Sequence, residues 1–177
     1  QPEWHTYWKN SGDSGQPTAL RWTLPVGVLA GELAWPIPQK LPIGDLANYG
    51  YADTVLLPVP LTISPDFKPL ALSPELEVKL HASWLVCRLE CVPQEGEFVL
   101  RLPVKGSTAL NSGDFAAAFK AAPQALSGQS QVTIEGHHLK VSVTGLPARL
   151  QGQTLEFFPE TPELIETAAK WTQSWQG

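Results

Sequence analysis

The chain holds two cysteines, Cys87 and Cys91, with Arg88-Leu89-Glu90 between them. Two thiols so placed can form a structural disulfide, form a redox-active one, or donate to a metal. Were the intervening residues extended, the two Cα atoms would stand roughly 13 Å apart, at about 3.3 Å per residue. A disulfide needs roughly 4.4–6.8 Å, so pairing requires Arg88-Leu89-Glu90 to curl into one tight turn. As a staple the bond would do little. Closing so short a loop stabilises by only about 2 kcal/mol, against about 5 for a loop of a hundred residues. A small ring at a strand end suits exchange with other thiols better, because strain makes a disulfide easier to reduce. Spacing alone leaves the structural and the redox readings both open. A metal site has the weaker case, since the extra ligand at hand, His81, falls on the polar face of a strand, where a solvated histidine is ordinary.

The elements that must position this pair are strands. From Glu75 to Trp84 the sequence alternates, with Leu76, Val78, Leu80, Ala82 and Trp84 on one face and Glu75, Glu77, Lys79, His81 and Ser83 on the other. That half-buried strand delivers Cys87 at its exit. Phe98, Leu100, Leu102 and Val104 define a second alternating run, which puts the cysteines in the connection between two strands. Trp84, the last inward residue of the first run, is expected to be buried. Arg88 beside Cys87 would lower a thiol pKa and Glu90 would oppose it.

Other short alternating runs, punctuated by 17 prolines and 14 glycines in 177 residues, favour an all-β sandwich. Trp4 to Trp8 reads as an aromatic strand, and Asn10-Ser11-Gly12-Asp13-Ser14-Gly15 as a plain turn. Leu20, Trp22 and Leu24 alternate on the next strand. Residues 31–51 read as a long irregular stretch, because Pro36, Pro38 and Pro42 each remove a ladder donor. Loops of that length are often functional, and Trp35, Tyr49 and Tyr51 either act there or anchor the loop to the core. Thr54–Ile63 reads as an edge strand, and Ser64–Pro74 as a proline-rich connection.

Past Gly106 a short helix is expected over Phe115–Ala122, capped by Asp114 and stopped by Pro123. A hairpin around Gly136-His137, a strand at Leu155–Pro159 and a last helical turn from Thr161-Pro162 follow. The division is thus a β-sandwich domain over 1–106 and the start of a second β-rich module over 107–177.

A net charge of −5 gives no electrostatic basis for binding nucleic acid or an anionic membrane. No apolar run reaches the roughly 18 residues of a membrane span, and Gln1-Pro2-Glu3-Trp4 has no signal-peptide character. The sequence reads as an excised soluble piece. Glycine-rich phosphate loops, HExxH and Gly-x-Ser-x-Gly are all missing from it.

Several stretches together resemble one family. They are His5-Thr6-Tyr7-Trp8-Lys9-Asn10, Gly12-Asp13-Ser14-Gly15, Trp35-Pro36, Tyr49-Gly50-Tyr51, Leu56-Leu57-Pro58-Val59, and Trp84-Leu85-Val86-Cys87 with Cys91-Val92-Pro93. The resemblance is to the N-terminal periplasmic region of DsbD-type membrane thiol:disulfide reductases, in the ScsB-like branch linked to copper tolerance. It implies an immunoglobulin-like fold and a periplasmic location, with membrane association only through the parent protein. It also implies a protein-disulfide reductase activity. Electrons would arrive from a thioredoxin-like domain of the same polypeptide and leave to periplasmic thioredoxin-fold oxidoreductases, with no cofactor and no metal. Cys87 and Cys91 match the family's active pair, with Cys91 carrying the intermolecular disulfide. Trp35, Tyr7, Tyr49 and Tyr51 are assigned to a cap that shields it. Two departures stand out. The better-known DsbD branch spaces its cysteines further apart, and the chain begins where the family already has one or two strands.

Overall fold

A computed structural model describes residues 4–69, 75–106 and 110–176. Among the described residues the strands are β1 (His5–Gly12), β2 (Ala19–Thr23), β3 (Val28–Ala30), β4 (Gln39–Ile43), β5 (Leu46–Ala52), β6 (Leu61–Ile63), β7 (Glu75–Cys87), β8 (Cys91–Pro103), β9 (Ser130–Glu135) and β10 (His138–Val143). All pairings are antiparallel.

The long strand β7 is the axis of the main sheet. Along one edge it pairs with β8 without a break, from Glu75↔Pro103 to Cys87↔Cys91. Its other edge is shared. β2 takes the middle, from Ala19↔Ser83 to Thr23↔Lys79, and β1 takes the end, at His5↔Cys87. β5 and β4 continue the sheet beyond β1.

The stretch read as irregular is half structured, because β4 and β5 form a hairpin inside it. Pro42 sits within β4, opposite Ala47. β4 ends the strand order, and on an edge strand the missing N–H can face away from the ladder. In contrast, the run from Thr54 contributes only β6, which pairs with β3 as a separate two-stranded sheet. The connection read over Ser64–Pro74 lies partly outside the described residues.

Two apolar clusters form the core. In one, Val28, Leu76 and Val78 gather Trp22, Leu24, Leu61, Phe67, Leu102 and Val104. This is the expected inward face of β7, closed by the β3–β6 pair. In the other, Trp8, Tyr49 and Tyr51 gather Trp35, Val55, Leu57 and Phe158. Side chains alternate along a strand, and the registers align Thr6 and Trp8 of β1 with the even-numbered residues of β7. Both clusters therefore lie on one face of the main sheet. Trp84 shares that face but is only half-buried, because it lies toward the hairpin tip, beyond the apolar clusters.

In the second part of the chain, α1 spans Ser112–Ala121 and starts at Asn111, a turn earlier than expected, so Asp114 falls in its first turn instead of capping it. The β9–β10 hairpin turns at Gly136-His137 as the sequence indicates. Leu155–Pro159 does not form a strand, and Thr161-Pro162 opens turns in place of a helix. That segment packs back on the main sheet instead. Phe158 meets Trp8 and Tyr49 edge-on, with ring centroids 6.4 and 5.1 Å away. Asn10 Nδ2 donates to the Pro159 carbonyl at 2.8 Å, and Lys9 pairs with Glu160.

Candidate functional site

Cys87 and Cys91 are the last residue of β7 and the first of β8, directly opposed in register. They are not in a loose connection. Their sulfurs are bonded and their Cα atoms are 4.1 Å apart, nearer the roughly 4.5 Å of a non-hydrogen-bonded antiparallel pair than the roughly 5.5 Å of a hydrogen-bonded one. The three residues between them make the tight turn that pairing demands, closed by Arg88 N–H donating to the Glu90 carbonyl at 3.0 Å. Arg88, Leu89 and Glu90 are exposed.

The two sulfurs have unlike surroundings. Cys87 is buried, with 2 % of its surface exposed, while Cys91 is exposed. Alternation puts Cys87 on the odd-numbered face of β7, opposite the apolar clusters, beside His5 of β1. Tyr7 lies two residues along β1 on this same face. Its ring is 1 % exposed and meets the His5 ring edge-on at 5.3 Å. The Tyr7 hydroxyl stands 3.5 Å from Cys91 Sγ. A disulfide sulfur carries no proton, so the hydroxyl is the donor. Burial raises the Tyr7 pKa above the ordinary phenol value, so the proton stays available through the neutral range.

Of the four aromatic residues assigned to shielding, Tyr7 is the one that contacts the pair among the described residues. Trp35, Tyr49 and Tyr51 come together in the Trp8 cluster, on the reverse face of the sheet. Tyr51 O–H donates to the Pro36 carbonyl at 2.7 Å, tying the Trp35 segment down. The sequence could not separate Tyr7 from these three, because all are aromatic residues whose partners lie far along the chain. Parity relative to Cys87 distinguishes Tyr7 from Tyr49 and Tyr51, and it requires knowing that His5 opposes Cys87 and Thr6 opposes Tyr51.

Gly15 was missed as a site residue. It takes φ +86° and lies flat on the Tyr7 ring, where a Cβ would overlap Cε1 and Cζ. Gln16, Pro17 and Ala19 line a shallow groove with Ser83, Trp84, Leu85, Pro93, Gln94 and Glu95 of the cysteine hairpin, residues drawn from both faces of the sheet. Among the described residues no group of three or more His, Cys, Asp or Glu is arranged to hold a metal. His81 pairs instead with Glu97, Nδ1 to Oε1 at 2.7 Å.

A disulfide at a hairpin tip, one cysteine buried and the other exposed, with a tyrosine hydroxyl against the second sulfur, is an arrangement fit for thiol exchange. Residues 1–103 match the family described as thiol:disulfide interchange protein DsbD, N-terminal. The chain belongs to that family. As a DsbD N-terminal domain it carries a thiol:disulfide interchange fold, and the match covers the whole main sheet and the cysteine pair. The crystal structure of the N-terminal periplasmic domain of ScsB from Proteus mirabilis is similar, with a TM-score of 0.54 at 22% identity. The similarity covers 81% of this chain and 54% of that one, so the chain spans about half the length of that relative. No curated protein matches the chain. Among the described residues no helix is long and apolar enough to cross a membrane.

Proposed function

We propose that this is a periplasmic electron-relay domain of a membrane thiol:disulfide reductase. It takes electrons from a thioredoxin-like domain of the same polypeptide and passes them to periplasmic thioredoxin-fold oxidoreductases through the Cys87–Cys91 pair. The observation that carries the reading is the asymmetry of the bonded pair, exposed at Cys91 and 2 % exposed at Cys87. An attacking thiolate must approach in line with the bond it breaks. From solvent that approach leads to Cys91, with Cys87 behind it as the leaving group.

The exchange then balances as follows. A partner thiolate attacks Cys91 Sγ, the Cys87–Cys91 bond breaks, and Cys87 leaves as a thiolate that takes up a proton. The partner's second thiolate attacks its own sulfur in the mixed disulfide and releases Cys91. This domain has then gained two electrons and two protons as a dithiol, and the partner is a disulfide. Reversing the roles with an oxidised acceptor passes the electrons on.

Tyr7 lies against Cys91 Sγ and donates to it, and Trp35, Tyr49 and Tyr51 hold the strand of Tyr7 in place from the reverse face. Accordingly, Trp35→Ala is expected to lower stability by roughly 2–3 kcal/mol, somewhat below the loss of a fully buried tryptophan. The rate at which the reduced pair reacts with a small thiol reagent should stay within about twofold of wild type. A clear acceleration with the fold intact would make Trp35 part of the shield itself.

Redox titration in glutathione or dithiothreitol buffers tests the relay reading. A relay disulfide is expected to have a potential above about −300 mV. A value below it, where structural bridges lie, would make the domain a passive β-sandwich module with a structural bond.

A further inference from the structure

The turn between β1 and β2 is fastened far more heavily than a connection requires. Asp13 N–H donates to the Ala47 carbonyl at 3.1 Å, and Ala47 N–H returns a bond to Asp13 Oδ2 at 2.8 Å. Ser14 donates to Asn48 Oδ1 twice, from its N–H at 3.0 Å and from its hydroxyl at 3.1 Å. Asn48 is 0 % exposed and Asn10 4 %. Asn10 Oδ1 accepts from Gly12 N–H at 3.1 Å while its amide nitrogen reaches the Pro159 carbonyl. Ser11 Oγ donates to the Gly15 carbonyl at 3.2 Å. Gly12 and Gly15 take φ +81° and +86°, a region open to glycine at little strain. One side of the turn is thus fixed to β5, and the other side presses Gly15 onto Tyr7.

We infer that the 11–15 turn is a positioning element for the redox pair: by seating Gly15 on the Tyr7 ring it holds the phenol O–H at Cys91 Sγ. A ring pinned between Gly15 and the sheet cannot swing its hydroxyl away, so the donor is already in place when Cys91 becomes a thiolate. Stabilisation by a preorganised donor needs no rearrangement at the moment charge appears. The inference rests on the exchange chemistry proposed above. Gly15 and Ser11 touch neither sulfur and act only through Tyr7.

The test is the pH profile of thiolate absorbance in the Cys87→Ser protein, where Cys91 is the single thiol. It is compared with Tyr7→Phe, Gly15→Ala and their combination in that background. His5 beside Tyr7, Asp13 in the 11–15 turn and Arg88 and Glu90 between the cysteines are constant across the set. The net worth of one hydrogen bond is modest, so Tyr7→Phe and Gly15→Ala should each reduce the thiolate fraction at a given sub-midpoint pH by roughly threefold to tenfold. The combination should fall no further than Tyr7→Phe alone, because coupled residues are non-additive. Where Gly15→Ala does not fold, Ser11→Ala removes only the hydroxyl bond to Gly15. It should shift the profile less, in the same direction, and not at all when Tyr7 is Phe. An unmoved profile in Tyr7→Phe, or shifts that add, would overturn the inference. None of these readouts needs a partner, so failure of the relay itself shows separately, as absence of trapping in partner mixing.

Discussion

Cys87→Ser protein mixed with a thioredoxin-fold partner, its single active cysteine activated as a small mixed disulfide, should accumulate a stable cross-linked complex. Cys91→Ser should accumulate far less. In the first variant the Cys91 thiolate attacks the activated disulfide and expels the small thiol, and no second thiol remains to resolve the product. In the second the remaining thiol, Cys87, is 2 % exposed, beside His5 of β1. Both variants should fold, since the five-residue ring contributes only about 2 kcal/mol. Cys87→Ala, which places no hydroxyl in the buried position, should trap as well as Cys87→Ser. Non-reducing electrophoresis reads the outcome. Preferential trapping by Cys91→Ser would reverse the two roles, and no trapping by either would remove the relay reading.

The second large effect is alkaline. The chain has three tyrosines, Tyr7, Tyr49 and Tyr51, all buried. Desolvation raises the pKa of each, furthest for Tyr51, and a hydrogen bond with Thr167 partly offsets it for Tyr49. In the unfolded chain these phenols release their protons near pH 10. The folded chain still holds them there, so the unfolded state binds fewer protons and stability falls as pH rises. The contribution is intact below about pH 10 and is lost above it, through the raised folded values. Native protein should therefore show less tyrosinate absorbance at about pH 10 than the unfolded chain, and the rest of the signal should appear together with loss of near-ultraviolet dichroism. Three phenols titrating smoothly near their ordinary value in a protein that stays folded would mean that these side chains are wetter than the structure has them.

Much of this was legible in the residues. The alternation of Leu76, Val78, Leu80 and Ala82 marks β7 and its inward face because burial on one side of a pleated strand imposes a period of two. The cysteine spacing forces a tight turn for any bond, by chain geometry alone. The hairpin at Gly136-His137 is a local pattern with a local cause. Where local cues misled, the cause was position in the sheet. Pro42 looks incompatible with a strand until its strand proves to be an edge, where no donor is missed. Leu155–Pro159 has strand-like residues but gives Phe158 to the Trp8 cluster instead.

The composition of the site belongs to tertiary structure. Nothing in the sequence says that His5 opposes Cys87, yet that pairing puts Tyr7 on the face of the disulfide, while the Thr6↔Tyr51 register puts Tyr49 and Tyr51 behind the sheet with Trp35 packed against them. Nor does Asn10–Gly15 reveal more than a turn, because its bonds run to Ala47, Asn48 and Pro159, far along the chain. Local pattern accounts for β7 and the β9–β10 hairpin, whose causes lie within a few residues. Which side chain stands over Cys91 depends on strand order and register, and these are set only when distant segments bury their faces together.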